Sequence, residues 1–310
     1  MQIYLPIAEL PVNVLVMLGL GLITGILAGM FGIGGGFLAT PLLIFIGVPP
    51  GVAVSSSANQ IIASSSSGFL AHFRRRNVDI KMGIYLLLGG FIGSTIGVVG
   101  IFSRLKDSGQ IDLVINLCYI IFLGMIGTLM AIESHKASRR KLQNHSEKSG
   151  GGALPFSQQK LCRSLPFQTF FPRSNIEISI ILPLVIGFMV GILVSIMGIG
   201  GGFILIPAML YVLGMPTSVV VGTSLFQIIF ITSNVTLLFS LTTQTVDIVL
   251  AVLLIAGSVV GAQFGTILGQ RIPPEKLRWL MALMVLSVCL KLAYGLFAHP
   301  GEIYSIEQVN

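Results

Sequence analysis

Charge is what this chain has least of. Only 9% of its 310 residues are Asp, Glu, Lys or Arg, against about 25% in an ordinary soluble domain. So little charge cannot cover a water-facing surface. With 54% hydrophobic residues, the composition is that of an integral membrane protein. The eleven acidic residues all lie in termini, loops or span ends, none in the middle of an apolar run. That absence argues against a carboxylate proton relay and against a cation pore lined by an acidic ring. The three cysteines, Cys118, Cys162 and Cys289, are scattered and fit neither a disulfide framework nor a metal site. Residues 1–12 contain no Lys or Arg, so the basic start of a cleaved signal peptide is missing and the first span is expected to remain as a helix.

Other chemistries fail on the same ground. No serine has a plausible His and Asp partner within the spans, and no His/Glu cluster has metal-ligand spacing. The expectation is a protein with no catalytic residues, no metal and no cofactor. The net charge of +7 does not indicate nucleic acid, because the basic residues sit in short loops between spans, where they report orientation.

Apolar stretches run over 12–32, 37–48, 52–72, 82–102, 111–132, 178–198, 203–214, 219–241, 247–269 and 279–298. Eight reach the ~20 residues that a spanning helix needs. The two that do not, 37–48 and 203–214, each follow a copy of one hexapeptide, GIGGGF, at Gly32–Phe37 and Gly198–Phe203. Each copy is followed four residues later by a proline, Pro41 or Pro207.

The correspondence extends well beyond the hexapeptide. Gly32 and Gly198 are 166 positions apart, Gln60 and Gln227 167, and Gly89, Gly93 and Gly97 stand 168 before Gly257, Gly261 and Gly265. Near gap-free matching predicts a duplicated chain: a first transmembrane repeat over 12–132, a basic cytoplasmic linker over 133–177 and a second repeat over 178–298. The linker is expected to repeat nothing in either half, with a short amphipathic piece near Leu161–Phe171.

If all ten segments cross and the N-terminus is outside, the loops put 15 basic residues inside, with only Arg104 and Lys106 in outer loops. If the two short segments fail to cross, the division becomes 12 against 5. The positive-inside rule favours ten crossings. Five per half is odd, so the two repeats are expected to be inverted relative to each other.

A helix that breaks at glycines inside a membrane strands backbone groups, which is tolerated only where they are buried in protein or line a wet cavity. A short helix starting near Phe37 would aim free N–H groups and a positive dipole end at the break, a natural seat for an anion. The expected substrate-binding glycines are Gly34, Gly35, Gly36, Gly200, Gly201 and Gly202. Hydroxyl and amide groups follow each short segment and supply candidate neutral donors: Ser57, Asn59 and Gln60 in the first half, Thr223, Ser224 and Gln227 in the second. Helix–helix hydrogen bonding is the competing explanation for them. The Gly89 and Gly257 series have helical spacing on one face, and close helix packing explains them. Asp79 and Asp247, each within Val-Asp-Ile, are expected to mark helix starts.

The doubled GxGGGF with its following proline, the Gly47-Val48-Pro49 and Gly214-Met215-Pro216 turns, and the serine- and amide-rich segments after them resemble the sulfite exporter TauE/SafE family of membrane permeases. The resemblance covers about 14–132 and 180–297 and implies an all-α, multi-pass cytoplasmic-membrane transporter for a small anion such as sulfite, a sulfonate or a related organic acid. Its expected partners are that anion and membrane lipid. The alternative is a non-transporting membrane partner or assembly protein that recruits a soluble protein through its linker.

Overall fold

The computed structural model describes residues 2–31, 33–109, 111–143, 166–174, 176–271 and 274–297. Gly32, Cys162, the Gly150–Gly152 run and the rest of 144–165 lie outside them. The architecture is a polytopic bundle of helices with two small hairpins. A hairpin β1 (Gln2–Leu5)–β2 (Leu10–Asn13) leads into α1 (Val14–Phe31), α2 (Gly36–Phe45), α3 (Pro50–Arg74) and α4 (Ile80–Thr95). A π-helical stretch, Ile96–Phe102, continues α4 into α5 (Ser103–Asp107), and α6 (Ile111–Gln143) follows. A second hairpin, β3 (Gln168–Phe171)–β4 (Ile176–Ser179), then leads into α7 (Ile181–Met197), α8 (Gly202–Tyr211) and α9 (Thr217–Leu238). After a second π-helical stretch at Phe239–Thr243 come α10 (Ile248–Arg271) and α11 (Pro274–Phe297).

Four described segments are long and apolar enough to cross a membrane: Val14–Phe31, Ile80–Lys106, Val219–Thr243 and Ile248–Leu268. Side chains on their outer surfaces, such as Leu15, Ile92, Val252 and Phe264, are large, apolar and exposed, as lipid-facing positions require. The 25-residue α3 is less apolar because of its seven serines, and five of them point inward: Ser55, Ser56, Ser57, Ser64 and Ser65 are buried.

Regular secondary structure continues into the expected linker at both ends. Helix α6 runs on to Gln143, since the polar residues beyond 132 are good helix formers and extend the span outward. At the other end, β3 and β4 occupy 168–179, where an amphipathic piece and loop are predicted. Gln168 stands 166 residues after Gln2, and Ser179 166 after Asn13, so the second hairpin takes the place in its half that the first takes in its own. The hairpins share little sequence, which is why periodicity alone overlooks them.

Glycines set how the helices pair. A Cβ built on Gly21, Gly25 or Gly29 of α1 would stand 2.6, 2.3 and 2.3 Å from the carbonyl oxygens of Leu254, Ser258 and Ala262 on α10. The positions advance together, so α1 and α10 run parallel in backbone contact. Gly89 and Gly93 of α4 meet the Leu184 and Phe188 carbonyls of α7 in the same parallel sense, each at 2.1 Å. Contact this close is the small-residue packing that holds helices together in lipid. Helices α3 and α9 cross the other way. Ser56, near the start of α3, meets Asp247 beyond the end of α9, and Thr223, near the start of α9, meets Asp79 beyond the end of α3. Helices α6 and α11 are also antiparallel, with Gly124 against Cys289 and Gly127 against Val285.

The two aspartates clasp the halves together. Asp79 caps α4 by accepting from the Met82 N–H at 3.1 Å, and its other oxygen accepts from the Ser174 N–H and hydroxyl at 3.1 and 2.7 Å. Asp247 accepts from the Leu250 N–H at 3.1 Å and the Ile7 N–H at 3.0 Å. Their own N–H groups donate to Thr223 Oγ1 and Ser56 Oγ, both at 2.9 Å. Each carboxylate therefore fixes a helix start and the turn of the other half's hairpin, and the aspartate's own N–H holds the crossing helix. Asp79→Ala and Asp247→Ala should each destabilise the purified protein by about 2 kcal/mol or more, because a cap and buried tertiary bonds go together. Thermal unfolding in detergent tests this, and an unchanged midpoint would refute the clasp.

Candidate functional site around the paired helix breaks

Both GIGGGF segments terminate one helix and start another. Gly35 and Gly201 hold the N-cap positions of α2 and α8 with φ of 75° and 76°, and neither helix has a side-chain cap. A left-handed cap is open to glycine at no steric cost. The residue before each cap, Gly34 or Gly200, is also left-handed, with φ of 79° and 77°. The predicted short helices are thus present, ten residues each, with Pro41 and Pro207 inside them.

The two breaks meet. Phe37 and Phe203, which end the two hexapeptides, are buried and stacked, with ring centroids 4.9 Å apart and planes 4° from parallel. A Cβ on Gly36 would come within 2.9 Å of the Gly198 carbonyl oxygen, and one on Gly202 within 2.9 Å of the Ile33 carbonyl oxygen. Neither α2 nor α8 could begin here with a larger residue.

Two isoleucines fill the space between the breaks. Ile61 on α3 lies against Gly34, Gly36 and Gly200, and Ile228 on α9 lies against Gly34, Gly200 and Gly202. Both are buried. They stand 167 positions apart and close the gap from the two crossing helices. Beside them, Ser64 donates to the Gly34 carbonyl at 2.9 Å. The Ser65 hydroxyl is fully buried with no hydrogen-bond partner, and it lies 2.9 Å from where a Cβ on Gly34 would be. An unpartnered buried hydroxyl beside an uncapped helix start is a donor without an acceptor, at a place whose dipole favours negative charge. The counterpart of Ser65, Thr232, differs: it bonds back to the Ile228 carbonyl at 2.5 Å. The two breaks are therefore chemically unequal.

The remaining predicted donors are placed less centrally. Ser57 pairs with Thr40 of α2 at 2.7 Å. Thr223 serves the Asp79 clasp, and Ser224 bonds back to the Val221 carbonyl at 2.9 Å. Gln60 Nε2 donates to Thr24 Oγ1 at 2.6 Å, and Thr24 in turn donates to the Leu20 carbonyl at 2.7 Å. Gln227 Nε2 points to the Leu86 carbonyl at 3.4 Å. Both Gln Oε1 atoms and Asn59 Nδ2 are buried without partners. In this conformation Ser57, Thr223 and the two glutamine amides hold helices together, Ser224 bonds within its own helix, and only the glycines with Ser64 and Ser65 frame the breaks directly.

Sequence reasoning passed over Ile61, Ile228 and Tyr119. The Tyr119 hydroxyl donates to the carbonyl of Met197, the last residue of α7, and so anchors the chain at the second break. Only the matched offset of Ile61 and Ile228 could have flagged the isoleucine pair, and apolar residues at helical spacing ordinarily mean packing.

The family model described as Sulfite exporter TauE/SafE matches residues 17–292, a range that contains both breaks, both crossing helices and both clasp aspartates. The chain belongs to the sulfite exporter TauE/SafE family. Bacterial and archaeal relatives are similar over most of their length. The "Probable membrane transporter protein YunE" of Bacillus subtilis is 26% identical over 293 residues, covering 91% of this chain and 98% of that protein. A "Probable membrane transporter protein" of Methanocaldococcus jannaschii is 28% identical over 282 residues, covering 84% and 88%. "Sulfite exporter TauE/SafE family protein 3" of Arabidopsis thaliana is 29% identical over 107 residues, 34% of this chain and 22% of that protein. No solved structure matches the chain. Membership makes this TauE/SafE chain a multi-pass membrane transporter protein by family, with cell-membrane placement consistent with its long apolar helices.

The glycine caps can be separated from simple crowding. Gly201→Ala places a Cβ 2.8 Å from both Val190 and Val194 at φ 76°, whereas Gly109→Ala meets nothing within 4 Å at a similar φ of 69°. Gly109→Ala should cost about 1–2 kcal/mol for backbone strain alone, and Gly201→Ala measurably more. Equal shifts in the unfolding midpoint would show that the break tolerates bulk.

Proposed function

We propose that this TauE/SafE protein is a secondary transporter or facilitator that carries a small oxyanion, such as sulfite, a sulfonate or a related organic acid, outward across the cell membrane. The observation that supports this most directly is the pair of uncapped helix starts at Gly35 and Gly201, facing each other across Ile61 and Ile228, with the unpartnered Ser65 hydroxyl at the first. Backbone N–H groups and a neutral hydroxyl suit an anion, and the acidic residues confined to loops and span ends leave that anion unrepelled. Outward movement follows the membrane potential at ~2.3 kcal/mol per charge per 100 mV, so no coupling ion is needed.

The helix directions support an inverted relation between the halves. The matched helices α3 and α9 are antiparallel, as are α6 and α11, while α1 runs parallel to α10 and α4 to α7, as an axis in the membrane plane would produce. In this reading the described conformation is closed. Ile61 and Ile228 occupy the space between the breaks, and rocking of the halves withdraws them to admit the anion from one face at a time.

The test is flux in proteoliposomes, screened with sulfite, sulfonates and carboxylates. Ser65→Ala should lower flux of the accepted anion about tenfold at subsaturating concentration, the loss expected for one hydrogen bond to a charged group. Ile61→Ala with Ile228→Ala should raise anion leak. A monodisperse Ser65→Ala protein with unchanged flux would remove the break from the transport path, and no anion flux by the wild type would overturn the transport reading itself.

A further inference from the structure

We propose that a basic cleft at one end of the bundle binds the headgroup of an anionic phospholipid. The cleft has a volume of about 540 Å³ and is lined by Phe73, Arg74, Arg76, Val78, Ile80 and Arg173. Three separate elements build it: the end of α3 with the bend after it, the start of α4, and the β3–β4 turn of the second half. The Asp79 clasp holds these together, since Ser174, next to Arg173, bonds the Asp79 carboxylate. The bend is fixed by a left-handed Arg76 at φ 57° and by the Asn77 N–H donating to the His72 carbonyl at 3.1 Å.

Three guanidinium groups thus converge on one cleft. None of their side chains has a hydrogen bond or ion pair with another described residue. Lys81 nearby is engaged differently: its ammonium donates to the Phe170 carbonyl at 2.9 Å and lies over the Phe171 ring. The nearby Asp79 carboxylate is occupied by Met82 and Ser174 and forms no ion pair with the three arginines, so the like charges repel and the arrangement calls for an anion. Guanidinium groups bind phosphate with paired hydrogen bonds.

The fold does not require these charges. The matching positions at the opposite end of the bundle are Thr242 for Arg74, Gln244 for Arg76 and Ile7 for Arg173. Gln244 repeats the left-handed backbone of Arg76, with φ of 50°. The apolar wall is kept at both ends, with Phe73 and Ile80 matched by Leu241 and Ile248, all exposed. Only the end that the loop charges assign to the cytoplasm adds the arginines.

The walls select a lipid over a soluble anion. Phe73 and Ile80 are about half exposed beside the arginines, and the exposed Leu70 and Ile84 continue that apolar surface one helical turn away on α3 and α4. A phosphodiester can sit among the guanidiniums while its acyl chains lie along this strip. Basic pockets between transmembrane helices on the cytoplasmic side bind anionic headgroups in this way.

Native mass spectrometry of the full chain in detergent, with phosphatidylglycerol or phosphatidylcholine added, tests the proposal. The wild type should retain phosphatidylglycerol at least tenfold better. Arg173→Gln, which leaves the Arg74–Arg76 run intact, should reduce that preference about fivefold. The combination of Arg74→Gln, Arg76→Gln and Arg173→Gln should abolish it, while Arg75→Gln, outside the cleft lining, should leave it unchanged. Equal retention of the two lipids by the wild type, or an Arg173→Gln protein as selective as the wild type, would overturn the proposal. So would displacement of phosphatidylglycerol by millimolar inorganic phosphate or sulfite, which would make the cleft a soluble-oxyanion site.

Discussion

Backbone polar groups have no water to turn to inside a bilayer, and this protein interrupts two of its helices there. The arrangement around Gly35 and Gly201 answers that constraint. Each break is pressed against the other, so that the carbonyls of Ile33 and Gly198 lie against the starts of α8 and α2. Ser64 and Tyr119 hydroxyls bond carbonyls at the breaks. Glycine is needed for both backbone conformation and space, because Ile61, Ile228 and the facing carbonyls leave no room for a side chain at the helix starts. Carbonyls are thereby supplied with donors while the caps stay free of side-chain acceptors, an imbalance that favours an anion.

Around this centre the contacts divide into two kinds. The α1–α10 and α4–α7 pairs are backbone-to-backbone glycine contacts, which make each pair a stiff unit drawn from both halves. The crossing helices α3 and α9 carry the serines, glutamines and isoleucines that reach the breaks. Their ends are tied through Ser56 to Asp247 and through Thr223 to Asp79, and from there to the hairpin turns at Ile7 and Ser174. A displacement of α3 or α9 is therefore felt at a clasp on one end of the bundle and at Ile61 or Ile228 in the middle. The Asp79 clasp also joins the elements that build the arginine cleft.

Much of this was legible in the chain. The scarcity of charge identified a membrane protein, and the doubled GIGGGF located both breaks and both short helices. Asp79 and Asp247 were recognised as helix starts because a carboxylate before an apolar run has a simple local meaning. The glycine series announced close packing, though not the partner helices. The hairpin at 168–179 was missed because hairpins this short are held by their turn and by Asp79, and neither leaves a periodic signal.

What the sequence determined by itself was therefore local: the apolar spans, the places where they break, and the residues free to adopt a left-handed cap. What only the tertiary structure decided was the set of partners. A hydroxyl in a membrane helix bonds whatever acceptor packing brings to it. Packing gave Thr223 and Ser57 to structural bonds, closed the gap between the breaks with Ile61 and Ile228, and left Ser65 as the unpartnered donor beside Gly34. Hydrogen bonds between residues more than a hundred positions apart depend on how helices dock, and no spacing along the chain records that.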